Sequence, residues 1–234
     1  MAIAIAASSG FYQTTDHSSS FDASGGNFLL AGLLLPSART ISSITYGGVA
    51  LTQRLSTALT FSVDGALDVN AYWYTLTGPA TGSNTFAVNA NVAGDSMFCV
   101  LFSLTGVNTA NPIDDTDSGE GDADTDPNPS YSLTASVAST WGVMVGTARP
   151  NGVGANYHNP GTGFTEHSDA QGVAGDNSAG RYVVYKAFTG TGAKTFDGTN
   201  NYDVAPRPDA RCEIVILLKE SQTAGGAGQF ISFD

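Results

Sequence analysis

Apolar and polar residues alternate along much of the chain with a period of two, which is the pattern of a half-buried β-strand. In the segment 67–74, one face would carry Leu67, Val69, Ala71 and Trp73. The same alternation recurs at 86–90 and 141–145. No segment shows a long amphipathic period of 3.6 residues. The pattern therefore predicts an all-β protein.

Two segments are apolar at nearly every position, "MFCVLFSL" (97–104) and "CEIVILL" (212–218). Continuous apolar runs of this length are typical of central strands that are covered on both faces. Roughly ten evenly spaced strand-like runs lie between Ala2 and Leu218. The prediction is one jelly-roll-type β-sandwich over residues 1–220, with long loops and an extended C-terminal tail.

Glycine-rich turns separate the predicted strands. Gly47 and Gly48 stand between two β-rich runs, as a tight hairpin requires. The region from Pro150 to Gly180 is rich in Gly, Asn and His, and is interpreted as a long surface loop or a pair of weak strands.

The tail, residues 221–234, reads "SQTAGGAGQFISFD". Its Gly/Ala stretch is typical of a flexible linker. Leaving the apolar side chains beyond it, Phe230, Ile231 and Phe233, in water would cost free energy. The tail is therefore predicted to dock on a neighbouring subunit or on a particle surface, and folding back onto its own domain is the alternative.

Charge narrows the classes of partner. The formal net charge is −12, and ten of the 21 acidic residues lie between Arg54 and Arg149, where no Lys or Arg occurs. Nucleic-acid phosphates and anionic lipids require clustered cations, so neither is an expected partner. The start, "MAIAIAASSGFYQ", lacks the features of a signal peptide, and the apolar stretch 28–36 is too short to span a bilayer. A soluble protein made in a cytoplasm is expected.

Seven carboxylates crowd the stretch from Asp114 to Asp126. An EF-hand loop needs glycine at its sixth position and glutamate at its twelfth. A loop starting at Asp122 would have Pro127 and Leu133 at these positions. The prediction is an exposed, extended loop that folds without an ion, and a looser calcium site is the weak alternative. The ligands of that site would be Asp122, Asp124 and Asp126.

Other candidate chemistry is incomplete in the sequence. The Gly-Asp-Ser triplet at 94–96 lacks a suitably placed histidine, and "TGTGAKT" (189–195) lacks the glycines of a phosphate loop. His158, His167, Glu166 and Asp169 match no metal-site spacing. No catalytic group and no cofactor are predicted. Cys99 and Cys212 are expected to be buried thiols rather than a disulfide.

Tyr72 and Tyr74 share one face of a predicted strand. Exposed aromatic rings bind the apolar faces of sugars, so the pair is a possible glycan-binding platform. A packing pair inside the sheet structure is the alternative.

Four phrases occur in a recognisable order: "ITYGGVALTQ" (44–53), "AYWYTLTGPATGSNTFAV" (71–88), "FSLTGVNTANPID" (102–114) and "CEIVILLKE" (212–220). Together they resemble a jelly-roll-like β-sandwich module of tailed-phage structural proteins and bacterial surface proteins. The resemblance covers roughly residues 28 to 220, and its motif residues are structural. The acidic run and the Phe-rich tail depart from it.

The resemblance implies a non-enzymatic virion structural protein, with a phage head decoration (cement) protein as the leading hypothesis. Its partners would be the major capsid protein or other virion subunits, and it would form a homo-oligomer on a particle assembled in the host cytoplasm. The alternative is a glycan-binding adhesin module of a tail fibre or bacterial surface protein.

Overall fold

A computed structural model describes residues 1–13, 16–36, 39–61, 67–91, 97–122, 128–148, 158–171, 180–200 and 210–221. These residues form seventeen β-strands and no helix, which confirms the predicted all-β sandwich class. Within them, no helix is long and apolar enough to cross a membrane.

The first half of the chain forms a two-sheet sandwich. Its strands are β1 (Ala4–Gln13), β2 (His17–Asp22), β3 (Phe28–Pro36), β4 (Ile41–Tyr46), β5 (Val49–Ala50), β6 (Thr52–Phe61), β7 (Leu67–Thr77), β8 (Ser83–Ala90) and β9 (Met97–Thr105). One sheet has the order β1-β9-β3-β7-β6, and the other has the order β2-β8-β4-β5. The first and last strands are neighbours, and the chain changes sheet at every step except β4 to β5 and β6 to β7, which is jelly-roll connectivity.

The second half repeats this arrangement. Its strands are β10 (Ile113–Asp122), β11 (Ser130–Ala135), β12 (Ser139–Ala148), β13 (His158–Pro160), β14 (Thr165–Gln171), β15 (Gly180–Thr189), β16 (Gly192–Asn200) and β17 (Ala210–Lys219). The sheet orders are β10-β17-β12-β15-β14 and β11-β16-β13. The two five-stranded sheets correspond strand by strand. The strands equivalent to β1, β9, β3, β7 and β6 are β10, β17, β12, β15 and β14, in the same order. Only the short β5 lacks a counterpart among the described strands.

Four of the five register shifts among the described strands occur at equivalent positions, and the fifth, between Ile41 and Ser43 of β4, has no counterpart. Register shifts fall between Ile5 and Ala7 of β1, Ile113 and Asp115 of β10, Gln53 and Leu55 of β6, and Glu166 and Ser168 of β14. These shifts occupy equivalent positions in the two halves. Ile5 pairs with Leu104 in the first half, and Ile113 pairs with the equivalent residue, Leu218, in the second half. A β-bulge bends its strand and is a specific feature of a fold. Bulges at equivalent positions in both halves therefore support an internal duplication of one jelly roll.

The two jelly rolls pack through their five-stranded sheets, which gives four β layers around three apolar cores. The central core joins both halves and includes Trp73, Val100, Phe102, Trp141, Val143 and Ile216. A second core fills the first jelly roll, and a third fills the other. A single sandwich of around ten strands was expected, whereas the described residues form two stacked sandwiches, because each five-stranded sheet is apolar on both faces.

Strand β9 shows how one strand serves two cores. Phe98, Val100 and Phe102 point into the central core, whereas Cys99 and Leu101 point into the first jelly roll. The prediction that 97–104 and 212–218 are central strands covered on both sides is confirmed. The core residues Trp73, Val100, Phe102, Trp141, Val143, Val184 and Ile216 are all at most 3% exposed.

The molecule has two different ends. At the end called here the terminal end, the Ser221 amide donates to the Gly106 carbonyl at 2.7 Å, and the Met1 amino group donates to the Ser221 carbonyl at 3.1 Å. Strands β9 and β17 both finish there. At the opposite loop end they begin, and Met97 pairs with Gln13 while Ala210 pairs with Asp122.

The acidic segment is not the exposed loop that its composition predicts. Residues Ile113–Asp122 form strand β10, which pairs along its length with β17. The Asp114 side chain is only 1% exposed and lies 3.5 Å from the Lys219 ammonium group. The loop prediction is therefore wrong for this part of the segment, because carboxylate hydrogen bonds to backbone groups make the strand conformation favourable despite the low β-propensity of Asp and Gly.

The region from Pro150 to Gly180 contains β13 and β14 among its described residues, in agreement with the interpretation as a pair of weak strands. The Gly47–Gly48 hairpin is also present, and both glycines have positive φ angles, 57° and 80°. Residues 189–195, considered above for a phosphate loop, form the hairpin between β15 and β16. There the Lys194 ammonium group donates to the Thr189 carbonyl at 2.8 Å, which closes the turn.

Candidate functional site

The tyrosine pair on β7 lies inside the protein. Tyr72 is 6% exposed and Tyr74 is 7% exposed, and both belong to the core of the first jelly roll. Their ring centroids are 6.0 Å apart, and the Tyr74 hydroxyl donates to Gln53 Oε1 at 2.9 Å. Burial, together with the neighbouring Tyr72, raises the pKa of Tyr74 to about 12. The glycan platform prediction is corrected accordingly, because neither ring has a free face for a sugar.

The remaining predicted site residues fall largely outside the described part of the chain. Phe230, Ile231 and Phe233 lie outside it, as do Asp124 and Asp126. Asp122 is the last residue of β10. In the described ranges, no group of three or more His, Cys, Asp or Glu side chains is arranged to hold a metal ion.

The cysteines and histidines have structural surroundings where they are described. Cys99 and Cys212 are both buried and are not joined in a disulfide, as predicted. Burial raises the pKa of the Cys99 thiol. The His167 ring packs against Phe102 with centroids 4.9 Å apart, and the His158 ring stacks on Tyr182 at 4.0 Å.

Among the described residues, a buried network of interacting ionisable groups surrounds Glu213 in the second jelly roll. Glu213 is completely buried. Its Oε1 accepts from the Tyr182 hydroxyl at 2.6 Å, and its Oε2 accepts from the Tyr131 hydroxyl at 2.7 Å and from Arg211 at 2.7 Å. Arg211 also donates to the Tyr131 hydroxyl at 3.2 Å. The set Glu213, Arg211, Tyr131 and Tyr182 is called here the Glu213 network.

Glycines on neighbouring strands make room for the rings of this network. Gly146 of β12 pairs directly with Tyr182, and a methyl group there would overlap the tyrosine ring. Gly119 of β10 faces Tyr131, and a methyl group would approach its hydroxyl to 2.9 Å. The absence of side chains at these two positions lets the two hydroxyls reach the same carboxylate from different layers.

Burial and hydrogen bonding act in opposite directions on the charge state of Glu213. Burial raises the pKa of Glu213, while the charge of Arg211 and the hydrogen bonds from the tyrosines and Arg211 oppose this shift. Burial and the nearby Glu213 carboxylate raise the pKa of Tyr131. A buried charge with hydrogen-bonded partners is costly to disrupt, so the network can fix the packing of this region.

The position of the network suggests what it holds in place. Arg211 is the second residue of β17 and pairs with Ala148, the last residue of β12, which in turn pairs with Gly180, the first residue of β15. The network therefore lies just beneath the loop end of the second jelly roll. It joins both of that jelly roll's sheets at the level where the connections between strands begin.

Sequence reasoning assigned no role to this network. The available signal was a glutamate inside the apolar run "RCEIVILLKE", with an arginine two residues before it on the same face of the strand. Charged residues are almost never fully buried unless paired, so the two residues could have been matched to each other. The tyrosines come from distant positions, 131 and 182, and only the folded structure brings them to Glu213.

Comparison with models of known families, with characterised proteins and with solved structures found no match to this chain.

Proposed function

We propose that this protein is a non-enzymatic structural protein of a tailed-phage particle, and specifically a head decoration (cement) protein that binds the capsid surface. Two observations support the proposal. The four phrases given above resemble a module of phage structural proteins, and the described residues form stacked jelly rolls, an architecture common in viral shells. One fold serves many functions, so the proposal depends also on the geometry of the molecule.

The single observation that carries the proposal most strongly is the two-ended body. Residue 1 and the last described residue, Ser221, lie hydrogen-bonded at the terminal end, whereas the paired strand ends Asp122/Ala210 and Ala148/Gly180 lie at the opposite end. Between them, three apolar cores hold four sheets. A rigid body that attaches by one end suits a protein that sits on a surface.

The roles of the described polar groups support a non-enzymatic assignment. Glu213 has both oxygens engaged by three donors. Lys194 closes a turn, and Lys186 donates to the Thr162 carbonyl while lying over the Phe164 ring. These groups stabilise packing and turns and do not converge on a shared cleft.

The proposed partners are the major capsid protein or other virion subunits, with several copies of this chain forming a homo-oligomer on the particle. The acidic balance, −12, fits a protein surface better than nucleic acid or an anionic membrane. The attachment segment is the tail, through Phe230, Ile231 and Phe233. It follows Ser221, which places its origin at the terminal end. The glycan-binding adhesin alternative loses its candidate site residues, because Tyr72 and Tyr74 are buried.

Deletion of residues 222–234 tests this attachment. The deletion keeps Ser221, whose amide and carbonyl both bond within the body, so the thermal stability of the monomer should be unchanged. We expect the deleted protein to lose binding to undecorated particles in a co-sedimentation assay. Replacing residues 224–228 by a Gly/Ser segment of equal length is the matched control and should preserve binding. Normal particle binding by the deleted protein would refute the docking role of the tail.

A further inference from the structure

The carboxylates of β10 bind backbone groups on two open sheet edges. Strand β10 is the outer strand of one sheet of the second jelly roll, and β11 is the outer strand of the other. The Asp115 carboxylate accepts from the Thr116 amide at 2.9 Å through Oδ1 and from the Thr134 amide at 2.8 Å through Oδ2. One side chain thus bridges an amide of each edge.

Two neighbouring aspartates extend the contact. The Asp117 Oδ1 accepts from the Ser118 amide at 2.8 Å. Asp114 accepts from the Ser136 amide at 2.8 Å and from the Ser136 hydroxyl at 2.5 Å, just past the end of β11. Lys219 lies 3.5 Å from Asp114 and offsets part of the charge. The set Asp114, Asp115 and Asp117 is called here the carboxylate seam.

We propose that the carboxylate seam closes the open side of the second jelly roll, so that neither edge can accept an added strand from a second copy of this chain. An edge strand presents unpaired N–H groups that template pairing with another chain, and charges on the edge are a common protection. Here the protection is more specific, because the carboxylates occupy edge N–H groups that an incoming strand would need.

The first jelly roll shows that the fold itself does not require the seam. The register aligns Ile5 of β1 with Ile113 of β10, which places Ala7 and Ser9 at the positions of Asp115 and Asp117. The equivalent edge therefore forms without a carboxylate. The topology therefore does not by itself demand carboxylates at this edge, and those of β10 both favour the strand and occupy edge amides.

The test removes the two carboxylates that bind β10 amides and follows two properties. In the full-length Asp115→Ala/Asp117→Ala protein, amide hydrogen exchange at Thr116, Ser118 and Thr134 should accelerate about tenfold or more, because each amide loses a charge-assisted hydrogen bond. The same protein should self-associate in a concentration-dependent way in sedimentation velocity, whereas the unaltered protein should show no association through this edge.

Two control proteins distinguish the loss of the hydrogen-bond acceptors from the loss of negative charge. Glu120→Ala removes one charge from the same strand at an exposed position and should leave both exchange and association unchanged. Asp115→Asn/Asp117→Asn keeps an oxygen acceptor at each position and should restore protection and the original association state. Unchanged exchange in the alanine protein, faster exchange without association, or association of the asparagine protein equal to that of the alanine protein would each overturn the proposal.

Discussion

Glu213 illustrates how a single residue ties together strands from both sheets of a jelly roll. Its two oxygens accept hydrogen bonds from residues of β11, β15 and β17, which tie together both sheets of the second jelly roll. Aligning β9 with β17 through Leu104 and Leu218 places the apolar Cys99 at the corresponding position of the first jelly roll. The duplicated fold therefore tolerates an apolar residue there, and the ionic network is specific to the second half.

Replacing Glu213 by Ala should destabilise the protein strongly. The change leaves the Arg211 guanidinium, 4% exposed, without its carboxylate, and it removes the acceptor of both tyrosine hydroxyls. Breaking a buried pair in this way costs about 3–5 kcal/mol. Chemical denaturation of the two proteins measures the difference, and a loss below about 1 kcal/mol would show that the network adds little to stability.

The pH dependence of the same group has a defined sign. Burial raises the folded pKa of Glu213 above its ordinary value of 4.5. The folded state then holds the proton more tightly than the unfolded chain, so stability from this group is full below that value and is lost as pH rises through the folded pKa. The stability of the native protein relative to Glu213→Gln should therefore fall as pH is raised from 4.5 towards neutrality. A rise over that range would contradict the assignment.

At the scale of elements, hydrophobic periodicity was sufficient to predict the strands that build the cores. The runs 97–104 and 212–218 are central strands because an apolar residue at every position can be satisfied only when both faces are covered. Strand β10 was missed because Asp and Gly disfavour strands, and the compensating bonds from its carboxylates to Thr134 and Ser136 are not visible in local sequence. The Glu213 network was missed for the same reason, since its partners are distant in the chain.

Close packing between strands supplies an element-scale prediction. Gly146→Ala would place a methyl group against the Tyr182 ring and displace its hydroxyl from Glu213. Overpacking of this kind costs about 1–3 kcal/mol. Gly10→Ala is the matched control, because its new methyl group would meet only the Cys99 carbonyl oxygen at 3.7 Å. Equal unfolding free energies for the two variants would show that the glycine at 146 is not required for packing.

The whole molecule combines a duplicated jelly roll with a marked difference between its ends. The duplication could not be predicted from periodicity, because the aligned strands "AIAASSGFYQ" and "IDDTDSGEGD" share little beyond one isoleucine and small residues. The duplication is shown by the matching strand orders of the two halves and by register shifts at equivalent positions. The central core, drawn from both halves, then joins the jelly rolls into one body with the chain termini of the described region at one end.

The most direct test of the proposed function is the number of copies of this chain in purified phage particles, measured by quantitative mass spectrometry against the major capsid protein. The proposal predicts a fixed stoichiometric ratio to the capsid protein that persists through density-gradient purification. It also predicts that the chain is accessible to surface labelling on intact particles. Absence from purified particles, or trace amounts that vary between preparations while the chain is abundant in the lysate, would contradict the assignment.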